Sequence, residues 1–461
     1  MEIMPTSSAA YLKQQRPLFL QELIEFLRIP SISTLPEHRP DMQHAAEWTA
    51  ESLKAAGLEK VHLIPTSGNP LVYGEWMHAP GSPTILSYGH YDVQPADPLA
   101  AWISPPFEPE VRDEKIYARG ATDNKGQIFT HIKAAECLLR TQGQLPVNLR
   151  FLIEGEEEVG STAIIQYLAE HAGELRSDAV LVSDSSMFAP GVPTMDIGVR
   201  GLIYMEIELE GSENDLHSGL FGGAAPNPFE ALVRLLSKLK DEQGHILIPG
   251  IYDAVRPPDD DELASWRRLP FNENEWREQN VKALALTGEP EFSVLERIWT
   301  RPTLEIHGLP GGFTGPGAKT VIPARASAKL SMRLVPDQSP ARIARQVETY
   351  MRALAPPQYK FTFRLLSTAE PVVFPPSDRF NRAGAAAIDK IFGRLPAFVR
   401  CGGSIPIVPL FASHLNAPVV MIGLGLPDDG LHGPNEKFSL MNFYRGIEVI
   451  IEFLRTAAAR A

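Results

Sequence analysis

The sequence has 461 residues, 44% hydrophobic and 21% charged, and this length and composition predict a globular protein with two domains. Its formal charge of −13 and lack of a basic patch argue against a nucleic-acid partner, and no apolar run approaches the roughly 18 residues that span a bilayer, so no membrane association is expected. Residues 1–13 do not have the pattern of a signal peptide, and the two cysteines, Cys137 and Cys401, suit a reducing cytoplasm.

Helices and strands alternate through the first part of the chain. Apolar spacing and β-branched runs predict, in chain order, helices over 11–27 and 42–56, a strand over 84–88, a helix over 126–140, a strand over 147–153, a helix over 163–170 and a strand over 179–183. This alternation is typical of an α/β fold with a largely parallel sheet covered by helices. Ligands bind beyond the carboxyl ends of such strands, where His90, the acids of 154–158 and Asp184 collect.

The pattern changes after Arg200. Residues 202–209 alternate between polar and apolar side chains, which predicts a half-exposed strand. The elements predicted next are a helix over 228–240, a strand over 326–335, a helix over 341–353 and a strand over 360–366. This order predicts an inserted α+β unit, after which come a helix over 382–392, a strand over 419–422 and a helix over 443–457. We therefore predict a domain of residues 1–199 and 371–461, interrupted by a second domain of residues 200–370.

The segment RFLIEGEEEVGS, residues 150–161, places four acidic side chains within five positions directly after an apolar run. Like charges this close repel and raise one another's pKa, so we expect a cation to stabilise them. One interpretation is a divalent metal site with one carboxylate left as a proton carrier. The alternative is a solvated acidic loop, since runs of charge usually lie at the surface.

Other acidic and imidazole side chains follow predicted strands or lie in glycine-rich loops. His90 and Asp92 would face the same way in an extended chain, so Asp92 can hold the imidazole in one tautomer. Each such motif alone is commonly a local hydrogen bond, a helix cap or an exposed loop. Together they supply two histidines, two aspartates and a glutamate at one edge of a sheet. That set suits two divalent ions sharing one carboxylate.

Six motifs in this order resemble those of metallopeptidase family 20: GHYDVQP, RGATDNKG, EGEEEVGS, DLHSGLFGG, GAKTVIP and LHGPNEKF. The similarity extends from about Leu23 to the last predicted helix. It is greatest for the carnosinase and cytosolic non-specific dipeptidase branch of a superfamily that includes aminoacylases and carboxypeptidase G-type enzymes. The resemblance implies an α/β fold, in which a dinuclear zinc-peptidase-type catalytic domain with a mixed sheet is interrupted by an inserted α+β lid domain. The resemblance also implies that this lid domain forms the interface of a homodimer.

The resemblance also implies a metal ligand at each matching position. His90 and Asp184 would bind one ion, Glu158 and His432 would bind the other, and Asp123 would bridge the two. The expected cofactor is two divalent ions per subunit. A mixed imidazole and carboxylate set suits Zn²⁺ and does not discriminate sharply against Mn²⁺ or Co²⁺.

By the same resemblance, Glu157 is the general base that activates a water shared by the two ions, and Asp92 supports His90. His217 would reach the active site of the partner subunit in a homodimer and polarise the substrate carbonyl there. From sequence alone His217 could equally be a structural residue of the inserted domain. The expected substrate-binding residues are Arg333, Thr320, Gly403 and Ser404, with the Arg333 guanidinium suited to a terminal carboxylate.

The expected activity is hydrolysis of the peptide bond in dipeptides or short peptides. The alternatives are an N-acyl-amino-acid amidohydrolase or a carboxypeptidase of the same superfamily, and, last, a non-catalytic binding protein on this scaffold. One position departs from the resembling dipeptidases, which often have Asp-Asp-Lys-Gly where this chain has Asp123, Asn124, Lys125 and Gly126. Loss of the second charge is expected to alter local hydrogen bonding or metal preference.

Overall fold

The computed structural model describes residues 7–403 and 405–459. Within these ranges the chain forms 13 α-helices. They are α1 (Ser8–Leu27), α2 (Arg39–Ala56), α3 (Lys125–Gln142), α4 (Thr162–His171), α5 (Ser218–Phe221), α6 (Pro228–Leu236), α7 (Asp260–Trp266), α8 (Glu273–Trp276), α9 (Val294–Thr300), α10 (Pro340–Leu354), α11 (Arg379–Phe392), α12 (Ile407–Leu415) and α13 (Leu440–Ala458). None of these described helices combines the length and the apolarity needed to cross a bilayer.

The same ranges contain 18 β-strands. They are β1 (Glu59–Ile64), β2 (Leu71–Trp76), β3 (Thr84–His90), β4 (Glu110–Arg112), β5 (Lys115–Tyr117), β6 (Asn148–Glu154), β7 (Ala179–Val182), β8 (Thr194–Val199), β9 (Gly201–Glu210), β10 (Leu216–His217), β11 (Thr303–Gly308), β12 (Val321–Ile322), β13 (Arg325–Leu334), β14 (Lys360–Ala369), β15 (Val372–Val373), β16 (Ala397–Cys401), β17 (Val419–Ile422) and β18 (Lys437–Ser439).

The largest sheet has nine strands among the described residues, in the order β1-β2-β6-β3-β7-β17-β8-β15, with β16 beside β8. At its centre β6, β3, β7 and β17 run parallel to one another. Strands β1, β2 and β15 instead pair antiparallel towards the edges. The fold is therefore α/β with a mixed sheet, and the parallel arrangement expected for most of the sheet holds for its central strands.

Helices cover both faces of this sheet. On one face α1, α2, α3, α11 and α13 pack through a core that includes Phe26, Phe129 and Ile447. On the other face α4 and α12 contribute Ile164 and Phe411 to a second core. Burial on both faces explains why the central strands are nearly continuous apolar runs in the sequence. Their carboxyl ends meet at one edge of the sheet.

A second, four-stranded antiparallel sheet has the order β11-β13-β9-β14. Ile203, Met205 and Ile207 of β9 are buried in a core shared with α6 and α10, whereas the alternate residues are partly exposed. The half-exposed strand predicted over 202–209 is thus confirmed. The chain leaves the large sheet after β8 and returns to it at β15. The division of the chain into domains at residues 199 and 370 stays a prediction.

Two small sheets complete the described architecture. Strand β18 pairs with β5, which pairs with β4, so residues 437–439 lie against residues 115–117. Strand β10 pairs with β12. The first of these sheets matters for the site, because it brings the segment after His432 beside the segment before Asp123.

Candidate metal centre

The central strands bring acidic and imidazole side chains to one edge of the large sheet. His90 is the last residue of β3, Glu154 is the last residue of β6, and Asp184 follows β7. Because these strands are parallel, their carboxyl ends are adjacent. Asp123, just before α3, and His432, before β18, approach the same edge from segments outside the sheet.

His90, Asp123 and Asp184 form the first group. Nε2 of His90 lies 3.2 Å from Oδ1 of Asp123 and 3.7 Å from Oδ2 of Asp184. The His90 ring is fully buried. One ligand atom from each of the three residues falls within 4.8 Å of the others, which is a spacing that a single metal ion can bridge.

Asp123, Glu158 and His432 form the second group. Nε2 of His432 lies 3.0 Å from Oδ2 of Asp123 and 3.3 Å from Oε2 of Glu158. Asp123 therefore belongs to both groups, with one carboxylate oxygen facing each imidazole. Among the residues predicted from the sequence, it occupies the position expected for a bridging carboxylate.

The ligand atoms of the two groups suit divalent cations. Within the described residues, Nε2 of His90 and Oε1 of Glu158 are buried without a hydrogen-bond partner. Burying polar atoms unpaired is costly, so such atoms indicate a missing partner. Imidazole nitrogen together with carboxylate oxygen is a common ligand set for Zn²⁺ and similar ions. The residues fit two ions that share Asp123, although their role as ligands stays a prediction.

The site carries an excess of negative charge. Burial raises the pKa of Glu157 to about 8, and the charges of Asp184 and Glu158 act in the same direction while His90 opposes them. Contacts with Asp123 and Glu158 raise the pKa of His432 to about 10. The raised pKa of His432 reflects the carboxylates around it, and bound cations would neutralise their charge.

Asp92 connects the two sides of the site. Its Oδ1 lies 3.3 Å from Nδ1 of His90 and accepts a 3.3 Å hydrogen bond from the Glu157 amide. Its Oδ2 accepts a 3.1 Å bond from the Glu158 amide. One buried carboxylate therefore orients an imidazole and the short 3-10 turn that carries both glutamates, which is how residues behind metal ligands commonly act.

The Asn124 side chain makes three hydrogen bonds, and in two of them its amide nitrogen donates, which an ionised aspartate could not do. Its Oδ1 accepts a 3.2 Å bond from the His90 amide. Its Nδ2 donates to the Ser183 carbonyl at 2.6 Å and to Oδ1 of Asp184 at 2.8 Å. Although Asn124 is the residue that precedes α3, its side chain does not cap that helix. The carboxamide instead forms hydrogen bonds with the candidate ligands His90 and Asp184.

Two further residues at this site were not identified from the sequence. Gln94 donates a 2.9 Å bond from Nε2 to Oε2 of Glu158. Glu436 accepts hydrogen bonds from the loop that carries Asp123. Both lie inside the motifs GHYDVQP and LHGPNEKF, so motif membership was the available signal. Spacing alone could not reveal which side chains they contact.

Arg333 belongs to β13 and to neither of the two groups around Asp123. Arg333 pairs with Leu202 of β9, two residues after Arg200, so the two arginines are neighbours. Burial, and then the charge of Arg333, lower the pKa of Arg200 to about 10. The Arg200 side chain donates to the Gly402 carbonyl at 2.7 Å and its amide to the Gly403 carbonyl at 3.0 Å. Arg333 and Gly403 therefore share one region. Ser404, predicted with them, lies outside the described residues.

His217 and Thr320 are brought together with each other but not with the metal groups. His217 pairs with Val321 across the β10–β12 sheet, and the Ser218 amide donates to the Thr320 carbonyl at 3.1 Å. The His217 ring is exposed and its Nδ1 accepts from the Gly219 amide at 3.0 Å. Among the described residues, neither His217 nor Thr320 belongs to the two groups around Asp123.

Residues 86–456 match the profile of the peptidase family M20/M25/M40. The chain belongs to this family. It is 34% identical to the β-Ala-His dipeptidase of Mus musculus over 460 residues, which cover 96% of this chain and 93% of that protein. It is 33% identical to the Cys-Gly metallodipeptidase DUG1 of Candida albicans over 463 residues, with 96% and 95% covered. The family predicted from the six motifs is confirmed.

The fold is shared with solved members of the family. The structure of an M20-family metallo-carboxypeptidase from Sulfolobus solfataricus superposes with a TM-score of 0.84 at 31% identity, covering 95% of this chain and 99% of that chain. The α/β architecture described above is therefore that of M20 peptidases. Family membership makes the chain a metallopeptidase, while its substrate and the identity of its metal are matters for proposal.

Proposed function

We propose that this protein hydrolyses the peptide bond of dipeptides or short peptides with two divalent metal ions. The observation that carries the proposal is the Asp123 carboxylate, which faces His90 with one oxygen and His432 with the other. The relatives that act on β-Ala-His and Cys-Gly dipeptides support the choice of short peptides as substrates.

In this proposal His90, Asp123 and Asp184 hold one ion, and Asp123, Glu158 and His432 hold the other. Bound there, two divalent ions would polarise the substrate carbonyl and lower the pKa of a water molecule between them. Zn²⁺ is the ion that we propose, with Mn²⁺ or Co²⁺ as substitutes, because the mixed ligand set is intermediate in softness.

Glu157 is the proposed general base. Its amide is held by Asp92, and its neighbour Glu158 points to His432, so the two adjacent carboxylates have separate tasks. The Glu157 carboxylate takes the proton of the attacking water and then donates it to the departing amine.

The substrate's terminal carboxylate is proposed to bind near Arg333, Gly403, Ser404 and Thr320. A guanidinium can form two parallel hydrogen bonds with a carboxylate, which selects for a free carboxyl group at a set distance from the scissile bond. The closeness of Arg200 to Arg333 supports this placement, because two adjacent guanidinium groups attract an anion.

A homodimer is also proposed, with His217 of one subunit polarising the substrate carbonyl in the other. The exposed ring of His217 and its position outside the groups around Asp123 support a role across an interface. A cytoplasmic location is proposed from the two cysteines, which are both free thiols and suit a reducing compartment.

The main alternative is a carboxypeptidase, which the likeness to the Sulfolobus metallo-carboxypeptidase favours. The experiment compares turnover of Ala-Ala, β-Ala-His and Cys-Gly with that of N-acetyl-alanine and of an N-blocked tetrapeptide. Preference for the free dipeptides is expected. Release of the last residue of the blocked tetrapeptide at a higher rate would establish the carboxypeptidase, and preference for N-acetyl-alanine would establish an amidohydrolase. Turnover of none of them by the metal-loaded protein would favour a binding protein.

A further inference from the structure

The side chain of Glu436 is fully buried against the loop that precedes α3. Its Oε1 accepts hydrogen bonds from the amides of Thr122 at 2.9 Å and Asp123 at 3.0 Å. Its Oε2 accepts from the Gly120 amide at 2.9 Å and from the Arg119 guanidinium at 2.8 Å. Four donors therefore converge on one carboxylate, three of them backbone amides of a single loop.

Two further hydrogen bonds join the loop before α3 to the backbone carbonyls of Glu436 and Lys437. The Ala118 amide donates to the Glu436 carbonyl at 3.0 Å. The Thr122 hydroxyl donates to the Lys437 carbonyl at 2.7 Å. We call these six hydrogen bonds between residues 118–123 and residues 436–437 the clamp. Asp123 and Glu436 are separated by 313 positions in the chain, so no local conformational preference could bring the two segments together.

Each of the clamped segments carries a candidate ligand of the same ion. Asp123 contributes its own amide to the clamp, and His432 lies four positions before Glu436. The imidazole of His432 lies 3.0 Å from Oδ2 of Asp123. A shift of either segment would change that distance directly, and metal affinity depends on ligand atoms being held at a set spacing.

We propose that Glu436 is a positioning residue for the metal ion between Asp123, Glu158 and His432. The inference rests on the proposed dinuclear function. The Glu436 carboxylate is occupied by donors of residues 119–123, so its role is to hold the backbone of the Asp123 loop. Asp92 has the corresponding place on the other side, since it contacts His90 and the turn of Glu157.

A buried ion pair away from the candidate metal ligands supplies the matched control for metal binding. Glu262 of α7 is buried and accepts two hydrogen bonds from Arg400 of β16, at 2.6 Å and 2.7 Å. Like Glu436, it is a buried carboxylate that joins distant segments through a guanidinium. Neither Glu262 nor Arg400 is part of the groups around Asp123. Glu262→Gln therefore reproduces the loss of a buried ion pair without touching the ligand loops.

The experiment titrates the metal-free wild type, Glu436→Gln and Glu262→Gln with Co²⁺ or Zn²⁺ and counts the ions bound per chain. In Glu436→Gln an NH2 group replaces one of the two acceptor oxygens and faces N–H donors, so the two hydrogen bonds that this oxygen accepts are lost. We expect wild type and Glu262→Gln to bind two ions with the same affinities. In Glu436→Gln one of the two affinities should fall by about 10- to 100-fold, as removal of supporting residues commonly does.

A second readout does not depend on metal. Hydrogen exchange of the Gly120, Thr122 and Asp123 amides in the metal-free proteins should be faster in Glu436→Gln than in wild type and unchanged in Glu262→Gln. Should Glu436→Gln not fold, it is replaced by Arg119→Lys, which keeps the charge but loses the guanidinium that donates to both Glu436 and the Pro95 carbonyl. Arg119→Lys should lower the affinity for the same ion by a smaller factor than Glu436→Gln does.

The inference would be overturned if Glu436→Gln bound both ions with the affinities of the wild type. The same outcome in Arg119→Lys would overturn it where that variant is used instead. An equal loss in Glu262→Gln would overturn it as well, because the effect would then be general destabilisation. Failure of the wild type to bind two ions is distinguishable from both results. It would overturn the dinuclear proposal itself and, with it, this inference.

Discussion

The side-chain amide of Asn124 donates a 2.8 Å hydrogen bond to Oδ1 of Asp184. That oxygen is thereby occupied, and Oδ2 is the one that faces Nε2 of His90. The carboxamide oxygen of Asn124 also accepts from the His90 amide. Asn124 thus orients both candidate ligands of one ion. An ionised aspartate at this position could only accept, and it would face the Asp184 carboxylate without a donor.

Asn124→Ala is therefore expected to lower the affinity for the ion held by His90 and Asp184 by about 10- to 100-fold. Titration of the metal-free protein with Zn²⁺ measures the affinity. Asn381→Ala is the matched control, because Asn381 is also fully buried and donates to the Pro375 carbonyl, away from the site. Unchanged affinity in Asn124→Ala would show that the carboxamide does not orient Asp184.

Glu157→Gln is expected to lower turnover of a dipeptide by at least about a hundredfold while leaving metal content near normal, as loss of a general base should. Steady-state kinetics and elemental analysis of the same sample measure both quantities. Glu156→Gln is the neighbouring control, since the Glu156 carboxylate accepts from the amides of Asn69 and Ala163 and should be dispensable for proton transfer. Normal turnover in Glu157→Gln would remove Glu157 from the mechanism.

Chelation is expected to abolish activity, and Zn²⁺, Mn²⁺ or Co²⁺ should restore it, because the two imidazoles and three carboxylates do not select one of these ions strongly. The rate is measured against added metal after exhaustive dialysis with a chelator. Mg²⁺ serves as a control, since it prefers oxygen ligands over imidazole. Full activity in a sample shown to be metal-free would contradict the proposed chemistry.

Mixing His217→Ala chains with Glu157→Ala chains is expected to recover activity that neither variant has alone. In a two-fold dimer the heterodimer holds one complete site, with Glu157 from one chain and His217 from the other. Random exchange makes about half of the dimers mixed, each with one working site of two, so about a quarter of wild-type activity is the ceiling. Only averaged parental rates after proven subunit exchange would place His217 outside the partner's site.

His131 should make the fold sensitive to acid. Its ring is buried, with Nδ1 at 2.7 Å from the Ser87 hydroxyl and Nε2 at 2.8 Å from the Ser183 hydroxyl. Burial lowers the pKa of His131 to about 3, well below the 6.5 of a free imidazole. As the pH falls, His131 therefore becomes protonated at a higher pH in the unfolded chain than in the folded chain. The stability that the neutral ring contributes is complete above pH 6.5 and is lost towards pH 3, at about 1.4 kcal/mol per pH unit.

Denaturant unfolding of the metal-free protein between pH 7 and pH 5 measures this dependence. His131→Gln is expected to lose stability more slowly than wild type as the pH falls, by about that slope. His44→Gln, in which the replaced ring is exposed on α2, should follow wild type. Parallel slopes for wild type and His131→Gln would exclude His131 as the source.

The elements that the sequence predicted well have strong local patterns. The strand expected over 84–88 is β3, the helix over 126–140 is α3, and the last helix over 443–457 is α13, each longer by only a few residues. Strands β1, β8 and β16 and helix α12 are among the elements that were not predicted. β1 is largely exposed and lacks an apolar alternation, while β16 is held by its pairing with β8. Such elements depend on partners distant in the chain, which local patterns do not encode.

By itself, the sequence determined the family, the α/β class and the residue types available for chemistry, because motifs and apolar periodicity are local properties of the chain. The resemblance implied a bridging Asp123, but the contacts of its two oxygens with His90 and His432 were decided by the tertiary structure, since they require segments from both ends of the chain to meet. The same holds for Asn124 against Asp184 and for Glu436 against the Asp123 loop. Hydrogen bonds between distant segments follow from the packing of the sheet and its helices, and spacing along the chain does not contain them.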